Sequence, residues 1–335
     1  LMKTRQLGMH GPQVSAIGVG ALSFSDFYGL AKDEGSHKIL SSALDLDINH
    51  IDTSNVYGNG RSETVIGSFL GKQGKIKDQL FTIASKVGIC RNLETGQRYF
   101  DNSDAHIRDQ LDKSLARLGV DTLDLYYIHR RDETIPIEEV AGTMSQLVQE
   151  GKIKSYGFSE IAPSSLKLAH SVSHVAAVQS EYSLSTRNTE LGLTQTTKAM
   201  GTALVAFSPV GRSLLTDSPH TEERISEMDF LKENPRFIEP NLSRNIEASN
   251  AFRKLASEFS ISASGLAIAW LLHQGENIIP IPGTRSVDHL KELAEGAQRD
   301  LSKGELRLIE DVLPVGWAHG NRYSVGQTVA VEQYC

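Results

Sequence analysis

Cysteine is scarce. The chain has two in 335 residues, Cys90 and Cys335, and no CxxC spacing joins them. That argues against a disulfide framework and against a cysteine-ligated metal, so no metal is expected and a reducing, cytoplasmic setting is. No apolar run approaches the length needed to cross a bilayer, and no membrane segment is expected. The stretch after Met2, KTRQLG, is too polar and too short for a signal peptide; Met2 reads as the natural start, with Leu1 added ahead of it. Positive charge is not in surplus: 34 Lys and Arg against 41 Asp and Glu give a formal net charge of −7. This argues against a nucleic-acid or anionic-membrane binder, and any anionic ligand must be held by a local cluster of donors. Both glycine-rich phosphate loops are missing: there is no GxGxxG after the first apolar strand and no GxxxxGK followed by Ser or Thr.

What is present is alternation. Hydrophobic residues at 39% and charged residues at 22% suit a soluble globular chain large enough for one barrel or two ordinary domains. Residues 3–7 and 13–16 flank the turn GMHGP and predict a small hairpin. Strands are then predicted at 17–20, 49–52, 80–85, 123–128, 153–158, 175–178, 203–206 and 278–281. Helices are predicted at 33–46, 62–70, 103–118, 136–150, 163–172, 189–200, 245–259, 263–273, 286–295 and 303–313. The helix after Ser103 has the clearest signals: Ser103 as N-cap, Ile107, Leu111, Leu115 and Leu118 on one face, and Gly119 just past the end. Pro136 is placed at the first helical position of the next. Eight strand–helix units imply parallel strands with right-handed crossovers, and in about 300 residues a closed (β/α)8 TIM barrel fits better than an open doubly wound sheet. The whole chain reads as one domain, with a lid-like polar insertion at 212–243 and an irregular tail at 314–335.

In such a barrel the active site lies at the C-terminal ends of the strands. The residues there are Asp52 and Tyr57, Lys86, His129, Ser159 and Glu160, Gln179, Phe207-Ser208-Pro209, and Pro282-Gly283-Thr284-Arg285. The stretch NHIDTSNVYGNGRSETVIG (49–67) sets the pattern, with Asp52 ending a strand and Tyr57 inside a turn closed by Gly58 and Gly60. Each of the four ionisable groups has a bland alternative, as a turn cap or a surface charge. Four converging on one rim favours chemistry, and the chemistry they support is proton donation to a carbonyl oxygen. A phenol titrates near ~10, and a neighbouring ammonium is expected to lower that value. A buried lysine needs a counter-charge, which Asp52 supplies, and an imidazole can orient the substrate oxygen. With no metal and no nucleophile, hydride must come from a cofactor.

NHIDTSNVYGNGRSETVIG, ASKVG, LDLYYIHR, GFSE, VQSEYSL, AFSPVGRSLL and IPIPGTRS resemble the successive signatures of the aldo-keto reductases, in order and over nearly the whole chain. SDFYG, GFSE and GNRY are most similar to the branch of pyridoxal reductases and an alkaloid-aldehyde reductase. The resemblance implies a (β/α)8 barrel that binds NADP(H) and reduces aldehydes and ketones, with a small-molecule carbonyl substrate as partner. It implies a tetrad of Asp52, Tyr57, Lys86 and His129, with Tyr57 as general acid. Ser159 and Gln179 would hold the nicotinamide carboxamide and Phe207 would stack on its ring. Gly20, Ala21, Leu22 and Asp52 would also border the cofactor. Ser208, Pro209, Val210, Gly211 and Arg212 would line the pyrophosphate, Gly283, Thr284 and Arg285 would meet the 2′-phosphate, and His289 and Glu292 would lie toward the adenine. Tyr28, with Tyr57 and His129, would face the substrate. Glu160, Phe207, His289 and Leu293 depart from the commoner residues of the family at their positions.

Three features are read as decoys. Tyr28 and Lys32 have YxxxK spacing but no helix to place them on one face. His170 and His174 are four apart but have no third ligand. Arg130-Arg131-Asp132 is taken as a solvated loop. Two rival functions remain at this stage: a regulatory NADP-binding subunit of the channel-β type, and an aryl-alcohol dehydrogenase working in oxidation. Oligomeric state is left open.

Overall fold

A computed structural model describes residues 2–28 and 30–334, so the readings of Leu1, Gly29 and Cys335 fall outside it. Eight parallel strands form one sheet: β1 (Val19–Gly20), β2 (His50–Asp52), β3 (Thr82–Val87), β4 (Leu123–Ile128), β5 (Ile153–Ser159), β6 (Ala177–Glu181), β7 (Ala203–Phe207) and β8 (Ile278–Pro280). They neighbour one another in chain order. The first and last strands meet through Gly18 N to Pro280 O and Gly20 N to Pro282 O, both 2.9 Å, which closes the sheet into a barrel. The predicted (β/α)8 architecture is the one found. Inside the barrel Ala84, Leu125, Tyr127, Ala177, Val205 and Ile279 form a buried apolar cluster. Leu7 and Val14 of the N-terminal hairpin (Thr4–Gln6 and Gln13–Ser15) join it and plug the end away from the rim.

The helices form where their signals predict. Asp104–Leu118 is capped by Ser103 and ended by Gly119 in the left-handed region (φ 67°), whose N–H bonds Leu115 O at 2.8 Å. Three expectations need correcting. Pro136 is the N-cap with extended ψ, not the first helical residue, because the helix Ile137–Gln149 starts one residue later. The helix expected at 189–200 is two pieces, a turn at Asn188–Glu190 and a helix at Leu193–Ala199, broken at Gly192 (φ 128°). Lys86 and Gln179 lie within strands rather than beyond them, since β3 and β6 run two to three residues further than their apolar cores suggest.

Two regions are more ordered than their composition suggested. The insertion after β7 contains the helix Glu222–Ser226, several tight turns and its own apolar cluster of Leu214, Ile225, Met228, Leu231, Phe237 and Leu242. The tail crosses the rim and is tied to that insertion by Asn234 Nδ2 to Arg322 O (2.6 Å) and Gln327 Nε2 to Phe230 O (2.8 Å). A hairpin absent from the sequence reading, Ile89–Arg91 with Arg98–Phe100, rises directly from the end of β3.

Candidate active site

Three adjacent strands, β2, β3 and β4, bring the expected quartet together. Asp52 ends β2 and is 2% exposed; Lys86, in β3, is 0% exposed. Lys86 Nζ donates to Asp52 Oδ1, to Thr53 O at 2.7 Å and to Tyr57 Oη at 3.2 Å. The second Asp52 oxygen accepts from Gln179 Nε2 at 2.8 Å. The buried ammonium and carboxylate are thus each bonded by several partners, which is what makes a buried pair tolerable. His129 follows β4, with its ring 5.8 Å from the Tyr57 ring and Nδ1 3.1 Å from Ser54 Oγ. The turn carrying Tyr57 is held from beneath: Ser62 Oγ donates to Ala21 O (2.9 Å), and Glu63 is buried between Ser85 Oγ (2.5 Å) and Arg117 Nε (2.6 Å). Gly60 has φ 89°, and a Cβ there would meet Arg117 Cδ at 2.7 Å, so this position needs glycine on two counts.

The electrostatics correct one expectation. Burial raises the Tyr57 phenol above its ordinary value, and the pull of Lys86 in the other direction does not offset it. The phenol therefore stays protonated through neutral pH, stocked as an acid. Burial pulls the Lys86 ammonium down, but Asp52 and Tyr57 outweigh it and the net shift is up. His129 is pushed well below its ordinary value by burial and then by Lys86, Arg130 and Arg98, so its imidazole is neutral. Carbonyl reduction should accordingly show no inflection from His129 near pH ~6.5, the ordinary histidine value. A kcat profile with a break there that disappears in His129→Asn would contradict this.

The expected cofactor residues line the same rim. Ser159 ends β5, and its Oγ accepts from Arg130 Nη1 at 3.1 Å; Phe207 ends β7 and is half-buried. Ser208 (φ 50°), Gly211 (φ 63°), Arg212 (φ 54°) and Ser213 (φ 92°) are all left-handed. Non-glycine residues in that region are strained and gather at ligand sites, and successive N–H groups in such turns make anion cradles. Pro209 and Val210 complete the turn, closed by Gly211 N to Ser208 O (3.0 Å) and Leu215 N to Val210 O (3.1 Å). The Arg212 guanidinium is buried over Phe230 (4.6 Å) and Tyr323 (5.8 Å), 3.8 Å from Glu181, and its Nε has no partner.

Across the barrel seam, Gly20 and Gly283 are backbone against backbone, and a Cβ on Gly283 would meet Gly20 O at 2.7 Å. Ala21 and Leu22 start the turn Ala21–Phe24 beside them. Thr284 Oγ1 accepts from Ser286 N at 3.0 Å, and Ser286 caps the last barrel helix through His289 N. Arg285 donates to Tyr28 O (2.7 Å) and Leu30 O (3.0 Å), tying the loop after β1 to the loop after β8. Tyr28 packs edge-on to Phe27 at 4.8 Å and against the cluster of the insertion. Glu292 accepts from Ser264 Oγ at 3.2 Å, and His289 is exposed. Leu293 is buried in the main core.

The sequence reading missed several rim residues. Arg130-Arg131-Asp132 is not a solvated loop: Arg131 is 6% exposed, and Arg130 Nη1 bonds His129 O (2.7 Å) as well as Ser159. Arg322 of the tail forks across two buried carboxylates, Glu160 (3.0 and 2.6 Å) and Glu181 (3.1 Å). GNRY carried that signal without showing where Arg322 would go. His170 and His174 are stacked edge-on at 5.3 Å and spend ring nitrogens on backbone N–H groups of Val175 and Met9.

The chain matches the aldo/keto reductase family over residues 16–314. It belongs to that family. Among its relatives, it is 34% identical over 326 residues to the NADP(+) aldo-keto reductase yakc of Schizosaccharomyces pombe, covering 96% of this chain and 95% of that one. It is 33% identical over 323 residues to probable aldo-keto reductase 1 of Glycine max, covering 96% and 92%. Family members of known structure superpose along almost the full length. A glycerol dehydrogenase from Gluconobacter oxydans does so with TM-score 0.80 at 27% identity, covering 92% of this chain and 94% of that one. The holo form of an aldo-keto reductase from Bacillus halodurans gives 0.78 at 25%, covering 98% and 100%.

Proposed function

We propose that this aldo-keto reductase is an NADP(H)-dependent enzyme that reduces aldehydes or ketones to alcohols, with Tyr57 as the general acid. The observation that carries the reading is the Tyr57 Oη–Lys86 Nζ–Asp52 chain at the open end of the barrel, beside a neutral His129. The rim fits a dinucleotide: Arg212 has an unpartnered buried N–H, the 208–213 backbone forms a cradle, and the Gly20–Gly283 seam leaves no side chain between the loops. When bound, the nicotinamide supplies hydride to the carbonyl carbon. Tyr57 Oη gives its proton to the carbonyl oxygen, and Lys86 stabilises the phenolate as it forms, an interaction stronger in the transition state than before it. Asp52 keeps Lys86 an ammonium, while Ser54 on Nδ1 leaves the His129 Nε2 for the substrate oxygen. Gln179, whose N–H is spent on Asp52, keeps its amide oxygen to accept from the carboxamide.

Cofactor choice turns on the loop after β8. Residues 281–286 hold Thr284, Arg285 and Ser286 at a helix start and no carboxylate for a free ribose hydroxyl, which supports preference for the 2′-phosphate. Arg285→Ala should weaken NADPH binding by roughly 1.5–3 kcal/mol, the range for hydrogen bonds to charged groups, and leave NADH binding almost unchanged. Dissociation constants for both cofactors by fluorescence quenching check this; an equal loss would mean Arg285 acts only by holding Tyr28 and Leu30. The function is tested by NADPH consumption across aromatic and short aliphatic aldehydes, pyridoxal, methylglyoxal and quinones.

A further inference from the structure

The hairpin above β3 breaks a rule of sheet construction. Arg91 and Arg98 are direct partners across its two short strands, and like charges opposite each other on a ribbon are destabilising. The hairpin begins at Ile89, two residues past Val87, so it stands on the rim that carries Lys86 and His129. Arg98 lies over Phe100 (5.4 Å), and its Nη2 donates to Gly326 O at 3.0 Å. Arg130, on the next strand's loop, is fixed by His129 O and Ser159 Oγ. Arg130 disfavours charge on Arg98, and both disfavour it on His129, so the three groups share one field.

Several of the acids on this rim are already committed. Glu160 is forked by Arg322, Glu181 is shared by Arg322 and Arg212, Glu332 faces Arg131, and Asp101 accepts from Ser103 N and faces His106. Among the described residues, no ion pair reaches Arg91, Arg98 or Arg130. In a chain of net charge −7, two guanidiniums without an ion pair near His129, Arg98 and Arg130, with Arg91 behind them, run against composition. Such departures from local rules concentrate where a ligand completes the balance. Guanidinium forks match carboxylate and phosphate oxygens.

We propose that the carbonyl substrate carries a carboxylate or phosphate group, and that Arg98 and Arg130 receive it at the mouth of the site. This rests on the reductase reading above. The anion takes up the unpaired charge and fixes the carbonyl end beside Tyr57 and His129, so Arg98 and Arg130 determine specificity and Arg91 strengthens the field behind them.

The test is kcat/KM with NADPH for two matched pairs: para-carboxybenzaldehyde against its methyl ester, and glyceraldehyde phosphate against glyceraldehyde. The wild type should favour the anion in at least one pair by roughly 10- to 100-fold, and the pair that responds tells carboxylate from phosphate. Arg98→Gln and Arg130→Gln should each bring that ratio toward one. Arg130→Lys, which keeps the charge, should retain part of it. The ratio compares two aldehydes in one variant, so a general loss of turnover does not mimic the effect. A wild-type ratio near one in both pairs, or one that survives both Gln substitutions, overturns the inference while leaving the reductase reading intact. Reduction of other carbonyls but of none of these four overturns the inference alone; no oxidation of NADPH with any carbonyl rejects the reductase reading, and the inference with it.

Discussion

Tyr57→Phe is expected to lower carbonyl reduction on the order of 10² to 10⁴-fold while NADPH still binds, the effect of removing a general acid and nothing else. Tyr57 is the phenol within hydrogen-bond reach of Lys86 Nζ, at 3.2 Å; the other tyrosine near that ammonium, Tyr127, has its ring centroid 6.0 Å away. The phenyl ring keeps its edge-on place against His129, so the turn between β2 and its helix should not move. Lys86→Met should be comparably severe, because burial already holds the phenol above its ordinary value and the ammonium is the first influence opposing it. Steady-state NADPH oxidation, with cofactor titrated separately, measures both. Near-wild-type turnover in Tyr57→Phe would remove Tyr57 from the role.

Arg322→Met should destabilise the fold by about 3–5 kcal/mol, the cost of leaving buried charge without its partner. Glu160 is 3% exposed and Glu181 2%, and Arg322 bonds both. Glu160→Gln in the Arg322→Met background should recover part of the loss, since a neutral amide no longer demands a cation. The pH dependence has a definite sign. Burial pushes the Glu160 carboxyl up, Arg322 outweighs it, and the net value lies below the ordinary 4.5. Its contribution is therefore fully present above that value and is lost as pH falls through the lowered one. Urea unfolding of the three proteins at neutral and acidic pH checks this; a single variant as stable as wild type would show that the tail is not held by charge.

The quartet was legible because each member sits at or just past an apolar run, and strand ends are where a barrel carries its chemistry. The helix 104–118 was legible because Ser103, Gly119 and the Ile107–Leu111–Leu118 stripe agree. The hairpin at 89–100 was not: its strands are three residues each, too short for alternation to register. Arg130 and Arg131 read as solvent-facing because three consecutive charged residues usually are, yet their partners are backbone and hydroxyl oxygens and Glu332, brought in from far along the chain. The 314–334 tail has no periodicity because it is held by scattered contacts, Arg322 on Glu160, Trp317 Nε1 on Leu184 O (2.9 Å) and single buried side chains such as Tyr323 and Val331, rather than by one regular apolar face. The phenol was expected to be lowered because its charged neighbour is visible in sequence, whereas the burial that outweighs it is a property of the fold.

The reductase reading is tested most directly by following the label from NADPH deuterated at the transferring nicotinamide position, with mass spectrometry on the alcohol product. Transfer of one deuterium to the former carbonyl carbon, abolished in Tyr57→Phe, is the predicted result. An alcohol without the label, or bound NADPH that is never oxidised in the presence of any carbonyl, would contradict it.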